Sequence, residues 1–518
     1  MSFTQKIAFG VGISWLSRII SIVVNLFFIP IMFRYLGKEE LGLWFLMSNS
    51  QALLGLLGMG IAPVITKRIA LAKGKSGATA EVELNNESKQ EIGDLVTTGN
   101  ILLRGVAFFI FFIAAIGGYF LINQFELTTV SPQTILWSWI IICLGYAVGV
   151  WVEYLNCLLT GMGYVGFNQL ILAILSVGTT LISIVVVING GGLFHLAVIL
   201  VFTNLAQRFL LLALIRKYKP KLLDLNGKWN INIIKSLIQP AFDFWFKGIG
   251  TFLILRSDQY FIGTLIGVTA IAPYQATYQL VSNLRVLAVS LALSSIPFIG
   301  QLWQNGNLPL VHKIVKKVCF SGLLLSSIGN SFLLVSGKDF LQLWIGKDAF
   351  VGYPILIIFC VMLFFETQNA CLINCARATG IEQYAIPSII AGILNIILTM
   401  ILIKPFGLLG VSLATLISLM LTENWYCLYQ PLSRLKLKWV DYFREVILIV
   451  FIVFLLNYSL NLAVKFSLIP LNNQYLSVFS TMLTSLLVFL WFLWHNLLDD
   501  NLKVKIISKT KQNFLHRK

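Results

Sequence analysis

The sequence predicts an all-α polytopic membrane protein, and three observations carry that expectation. Of 518 residues, 58% are hydrophobic and 11% are charged, with a mean hydropathy of +0.86. A soluble domain carries roughly 25% charged residues. Apolar runs recur along the chain that are long enough, at roughly 20 residues, to cross a ~30 Å hydrocarbon core as helices. Lys and Arg also divide unevenly between alternate loops, which is how orientation in a bilayer is written into a chain. Lipid cannot satisfy exposed backbone groups and no alternating barrel pattern is present, so the spans are helices.

Fourteen spans are read in order, at about 7–33, 41–64, 98–122, 133–159, 165–188, 192–215, 241–266, 272–302, 318–336, 351–376, 383–403, 407–430, 444–464 and 475–497. The first is too long for the apolar core of a signal peptide and lacks an A-x-A cleavage site, so it is expected to be retained. A short polar turn, Arg34–Glu40, leads to the second. The stretch 65–97 mixes Lys67, Arg68, Lys73 and Lys75 with Glu81, Glu83, Glu87, Glu91 and Asp94, and reads as a solvated, flexible loop. Short loops join spans three to six. The basic segment 216–240, with RKYKPK at Arg216–Lys221, then marks a boundary after six helices. The expected organisation is a six-helix lobe at 1–220 and a second at 221–430. Residues 431–518 add two further spans and a basic tail from Lys503, which suits an anionic leaflet.

With the N-terminus cytoplasmic, 26 of the 38 Lys and Arg fall in inside segments and 6 in outside loops. An odd number of spans would spoil that asymmetry, so both termini are expected to be cytoplasmic. The formal net charge of +17 therefore needs no nucleic-acid partner. No GxxxxGK[ST] phosphate loop is present, and neither a cofactor nor a metal is expected. The seven cysteines lie in or beside apolar segments and are expected to be small core residues rather than a disulfide framework.

The two lobes are expected from an internal repeat. Trp15, Ile19 and Gly37 recur as Trp245, Ile249 and Gly267, and the block from Gly161 to Ala197 can be laid on Gly380 to Ala414 with one two-residue slip. Spans 1, 2, 5 and 6 thereby pair with 7, 8, 11 and 12 in the same direction. Parallel repeats imply lobes related by a pseudo-two-fold axis along the membrane normal. Pro30, Pro63, Pro240, Pro273, Pro297, Pro354 and Pro387 lie within or at the ends of spans, where proline is expected to kink a helix.

Four segments carry a resemblance to a known family: RYLGKEELGLW, the following GLLGMGIAPVITKRIA, ARATG at Ala376–Gly380 and FGLLGVSLATLIS at Phe406–Ser418. In that order they resemble the polysaccharide transporters, or Wzx-type flippases. That family shares a superfamily with the MATE multidrug exporters and the lipid II flippases. The resemblance implies two lobes around a central cavity in the bacterial plasma (inner) membrane. It also implies carriage of undecaprenyl-pyrophosphate-linked oligosaccharide to the periplasmic face, with membrane lipids and other polysaccharide assembly proteins as partners.

Charges inside spans are the candidate site residues, since a charge near the bilayer centre costs ~2.5–3.5 kcal/mol even on the lenient insertion scale. Arg18, Arg256 and Arg285 lie deep in spans one, seven and eight, with Lys247 nearer a helix end and Asp243 four residues before it. Guanidinium forks match phosphate oxygens and stay protonated when partly buried, so these residues are expected to bind a pyrophosphate. The competing reading is a structural ion pair, with Asp258 or Glu366 as the partner. Arg104 and Arg208 lie closer to helix ends and fit snorkelling. Sugars need aromatic faces and polar edges, for which Trp15, Trp245, Tyr274, Tyr278, Gln275 and Asn283 are candidates. Asp258, Glu366 and Asp243 are candidates for ion or proton coupling. A lipid II flippase, a MATE-type exporter and, from another class, a membrane glycan polymerase or ligase are the alternatives. An enzyme is disfavoured by short outer loops, and a cation exporter by the prevalence of Arg among the deep charges.

Overall fold

Apolar runs without a helix-breaking pattern do form helices. The computed structural model describes residues 20, 24, 26–57, 60–76, 83–122, 124–125, 127–218, 220–222, 225, 227–304, 306–377, 379, 384–468 and 473–496. In chain order the helices are α1 (Leu26–Tyr35), α2 (Lys38–Leu57), α3 (Ile61–Gly74), α4 (Asn86–Ile122), α5 (Pro132–Gly161), α6 (Val165–Ile188), α7 (Leu193–Tyr218), α8 (Ile231–Leu255) and α9 (Asp258–Leu265). They continue as α10 (Ile271–Gln304), α11 (Leu308–Trp344), α12 (Tyr353–Arg377), α13 (Ala385–Phe406), α14 (Leu408–Leu421), α15 (Glu423–Arg434), α16 (Trp439–Tyr442), α17 (Leu448–Leu468) and α18 (Gln474–Asn496). Among the described residues, ten helical runs are long and apolar enough to cross a membrane. The protein is an all-α, multi-pass membrane protein.

Three local expectations are corrected. The supposed flexible loop 65–97 is largely helical, because α3 continues to Gly74 and α4 begins at Asn86. Asn85 Oδ1 accepts from Ser88 N at 2.7 Å, and Lys75 bridges to Glu91 at 2.7 Å and Glu87 at 3.5 Å. The N-cap satisfies the start of α4 in a polar sequence, while exposed Lys75 links the end of α3 to α4 and adds little stability. The span expected at 241–266 is two helices, broken at Arg256–Ser257 with no proline involved. Conversely, Pro63, Pro273, Pro354 and Pro387 fall in the first turns of α3, α10, α12 and α13. There the missing N–H has no helical partner to lose, so these prolines start helices instead of kinking them.

The helices pack as two compact units. The first comprises Met1–Ala272 with Ala385–Gly407, and the second Pro273–Tyr384 with Leu408–Lys518. The units group helices by packing, whereas the sequence repeat groups them by similarity.

In the first unit, Ile65 and Ile69 of α3, Ile92, Leu95 and Leu103 of α4, Leu158 and Leu159 of α5, and Leu211 and Ile215 of α7 form one buried cluster. Phe108, Phe109, Phe112 and Phe120 of α4 stay exposed, as suits a lipid-facing stripe. Helix α13 joins this unit by lying close against α8. A Cβ on Gly250 would come within 2.6 Å of the Ser388 backbone, and one on Gly392 within 2.6 Å of Leu253 Cβ. Small residues permit such an approach where no hydrophobic force distinguishes helix from lipid.

In the second unit, α11 packs on α12, α17 and α18. Its apolar face contributes Val311, Val315, Phe320, Leu323 and Leu324 to a cluster completed by Tyr442, Val446, Val450 and Val453. Polar side chains add a seam. Asn457 Nδ2 donates to Ile328 O and Ser485 Oγ, both at 3.2 Å. Asn461 Nδ2 donates to Ser485 Oγ at 2.8 Å, and Ser336 and Thr481 hydroxyls pair at 2.9 Å. At the end of the seam Lys465 Nζ meets Asp339 Oδ2 at 2.7 Å. The two C-terminal helices are therefore fastened to α11 and do not hang free.

The polar turn before α2 ties the first unit together. Buried Glu39 accepts from Thr128 N at 3.0 Å, Thr129 N at 3.2 Å, Val130 N at 3.1 Å and Thr128 Oγ1 at 2.9 Å. Glu40 Oε1 accepts from Leu193 N at the start of α7, at 2.5 Å. Gly42 lies so close to the Val268 backbone that a Cβ would meet its carbonyl carbon at 2.9 Å. Burial pushes the Glu39 carboxyl up, but the hydrogen bonds from residues 128–130 outweigh it and hold the pKa below the ordinary 4.5. Stability from this carboxylate is thus complete above pH 4.5 and is lost as pH falls through the lower folded value. Glu39→Gln is expected to lower stability by about 1–3 kcal/mol at pH 7 and to flatten the acid limb below pH 4.5. Thermal unfolding in detergent from pH 7 to 3 checks both.

Candidate functional site

The helix break in the first unit is built from backbone groups that lipid cannot satisfy. Helix α8 ends at Leu255 and α9 starts at Asp258, which frees the last carbonyls of α8. Each unsatisfied backbone group in the hydrocarbon would cost several kcal/mol. Ser257 Oγ donates back to Leu253 O at 2.6 Å, and two amides from other helices take up the rest. Asn395 Nδ2 of α13 donates to Leu253 O at 3.0 Å and Ile254 O at 3.3 Å. Asn49 Nδ2 of α2 donates to Arg256 O at 2.8 Å. Tyr260 adds a hydroxyl bond to Ser50 Oγ at 2.7 Å.

Arg256 sits at this break with its side chain turned outward. Nη1 donates to Asn49 Oδ1 at 3.0 Å, so one amide holds both the carbonyl and the guanidinium of the same residue. The partner is neutral, and the full positive charge remains on an exposed side chain. Asp258, the first residue of α9, is buried. Trp245 lies two to three turns earlier on α8, with Phe242 edge-on at 5.7 Å and Phe246 at 5.3 Å. Its Nε1 is buried without a hydrogen-bond partner, leaving one donor unspent.

In the second unit, Arg285 of α10 faces Glu366 of α12, with Nη2 and Oε2 3.4 Å apart. The pairing weighed from sequence as the alternative to a ligand role is therefore made, with Glu366 as the acid. It is a single long contact, and Arg285 Nε has no partner, so the guanidinium fork is only partly used. Tyr274 and Tyr278, one turn apart on α10, both place ring edges against Phe359, at 5.1 and 5.3 Å. Tyr274 is 2% exposed and belongs to the packed interior, whereas Tyr278, Gln275 and Asn283 remain half-buried. Arg18 and Trp15 lie outside the described residues, as do the side chains of Lys247 and Asp243. All seven cysteines are buried and free.

Sequence reasoning missed a further cluster in the first unit. Arg208 Cζ of α7 lies 3.8 Å from the centre of the Trp151 ring on α5, and Arg104 Cζ of α4 lies 5.2 Å from it. Trp151 Nε1 donates to Asn100 Oδ1 at 3.0 Å, which fixes the ring. Among the described residues neither arginine makes an ion pair. A cation–π contact contributes ~0.5–2 kcal/mol, less than the ~2.5–3.5 kcal/mol of a deep charge. Arg104 is exposed and Arg208 half-buried, so the ring orients the two more than it compensates them. The missed signal was Trp151 itself, the only aromatic of α5 that both arginines can reach.

This geometry defines a class: a multi-pass helical membrane protein whose spans carry cations and aromatic rings. A family model described as polysaccharide biosynthesis protein matches residues 7–303, and the chain belongs to that family. The resemblance drawn from RYLGKEELGLW and the later motifs agrees with it. The uncharacterized membrane protein EpsK of Bacillus subtilis is 29% identical over 177 residues, 33% of this chain and 35% of that protein. The chain thus matches about a third of that relative's length. Among solved structures, the lipid II flippase MurJ in an inward closed conformation superposes with a TM-score of 0.66 at 15% identity, covering 92% of this chain and 97% of MurJ. An inward-facing multidrug resistance MATE family transporter of the MOP superfamily superposes with the same TM-score at 13% identity, covering 80% and 94%. The fold is that of these transporters.

The Arg285–Glu366 pair yields a direct test. Arg285→Ala leaves a buried carboxylate unpaired and is expected to destabilise the protein by about 3–5 kcal/mol. Arg285→Met with Glu366→Leu together should recover most of that loss in thermal unfolding.

Proposed function

We propose that the protein moves undecaprenyl-pyrophosphate-linked oligosaccharide from the cytoplasmic to the outer face of the bacterial plasma membrane, without altering it chemically. The observation that carries this reading is the family match over residues 7–303 on a chain with the MurJ and MATE fold. Cytoplasmic termini, fourteen spans and six-helix lobes at 1–220 and 221–430 belong to the same proposal, with alternating access as the mode of movement.

The cargo's pyrophosphate must leave water and pass a low-dielectric layer. Arg18, Arg256, Arg285 and Lys247 supply the compensating charge in this reading. Arg256 is the best placed of the described ones, because its guanidinium is held by a neutral amide and makes no ion pair among the described residues. Trp245, with an unspent indole N–H, suits a sugar edge. Trp15, Tyr278, Gln275 and Asn283 are further proposed sugar contacts; Tyr274 would first have to leave its packed position. Glu366, already facing Arg285, is the proposed coupling acid, with Asp258 and Asp243 as others. A protonated Glu366 would release Arg285 to the phosphate. Lipid II is the second reading, favoured by the extent of the MurJ superposition.

Proteoliposomes loaded with lipid-linked oligosaccharide test the proposal. The wild type should expose the glycan to an external glycan-modifying label with its pyrophosphate intact. Lipid II in a parallel reaction separates the two cargoes. Arg256→Ala is expected to cut the rate at least tenfold, and Arg256→Lys to recover part of it, because an ammonium keeps charge but loses the fork. Unchanged rates in Arg256→Ala would remove that residue from the site. Reporter fusions at residue 228 should read cytoplasmic, and a periplasmic signal there would overturn the topology.

A further inference from the structure

Arg104, Trp151 and Arg208 are not used by the proposed translocation site, yet they form an ordered group inside the first unit. Two guanidiniums are gathered on one indole, at 3.8 and 5.2 Å, and the indole is locked by Asn100. Tyr154, one turn along α5, presents a second ring 5.9 Å from Arg208. Arg208 lies eight residues before Arg216, where the charged last turn of α7 begins, about 12 Å along the axis at 1.5 Å per residue. Snorkelling is easiest near a helix end and serves to keep the charged head in water. Here Arg208 Nη1 is instead buried and has no hydrogen-bond partner. The nearby carboxylate on α5, Glu153, accepts from Asn156 at 2.8 Å and makes no ion pair with either arginine. Two like charges are thus held together without an anion from the described chain, while the Arg104 side chain remains exposed.

We infer that Arg104 and Arg208, oriented by Trp151, bind a phosphate group carried on a lipid. A guanidinium stacked on a ring keeps its N–H edge for phosphate oxygens, a geometry that an ammonium does not offer. The phosphate has two sources in a membrane: a phospholipid headgroup, or the pyrophosphate of a polyprenyl-linked cargo. The site stands apart from the translocation reading, because a phospholipid occupant requires no transport.

Native mass spectrometry of the purified full chain in detergent tests the site. The probes are phosphatidylglycerol, undecaprenyl pyrophosphate and, as a phosphate-free control, diacylglycerol. Wild-type protein should retain at least one phosphate-bearing probe about tenfold more strongly than the Arg104→Gln/Arg208→Gln double variant, with diacylglycerol unaffected. Loss confined to undecaprenyl pyrophosphate assigns the site to cargo, and loss of phosphatidylglycerol assigns it to the membrane headgroup. Retention of both probes unchanged in the double variant overturns the inference. Should the double variant aggregate on size exclusion, Arg104→Gln alone decides, since that side chain is exposed. A threefold or greater loss supports the site, and unchanged retention overturns it.

Discussion

The constraint on which this architecture depends is the pairing of backbone polar groups inside the bilayer. A helix meets it automatically, and a broken helix does not. The break at Arg256 is tolerated because Asn395 and Asn49 reach in from α13 and α2 to take the freed carbonyls. Those same bonds join three helices. The glycine contacts of α8 with α13 then bring the amide close enough to bond. The same rule governs the turn before α2. Glu39 and Glu40 collect N–H groups from residues 128–130 and from Leu193, so the most recognisable motif in the chain, RYLGKEELGLW, is in large part a device for finishing other elements.

Arginine appears in three electrostatic settings. Arg256 is held by a neutral amide, Arg285 by a carboxylate, and Arg104 with Arg208 by an aromatic face. The settings differ in what each leaves available. An amide fixes position and leaves the charge intact. A carboxylate cancels the charge until it is protonated or displaced. A ring provides a surface to lie on but little compensation. Depth in a span identifies a costly residue, and the partner decides what that residue can do.

This explains which features were legible in the sequence. Span type and the family resemblance follow from composition, apolar length and local motifs, all of which are short-range. The helical extension of α4 was also present, in Asn85 as an N-cap followed by acidic Glu87 in the first turn, but the dense charge masked it. The break at Arg256–Ser257 was hard to read, because Ser257 and Asp258 suit a helix start but no residue of FLILRSDQY stops the apolar run before them. Its stability comes from Asn395, 142 residues from Leu253. Proline, the usual sign of a kink, misdirected the reading, since four of the seven prolines begin helices. Glu366 as the partner of Arg285 was reachable only as one of two acids, because α10 and α12 come together through tertiary packing.

The distance between Leu253 and Asn395 also has a consequence in time. Synthesis proceeds at roughly 5–20 residues per second, so α8 emerges roughly 7–30 s before the amide that completes it. Throughout that interval Leu253 O has Ser257 Oγ as its side-chain donor, and the Ile254 carbonyl must be served by water, by the insertion machinery or by a temporarily unbroken helix. The first unit is therefore finished late, after α10, α11 and α12 have been made. A nascent chain stalled before residue 385 would hold most of this unit and still lack the helix that secures its break.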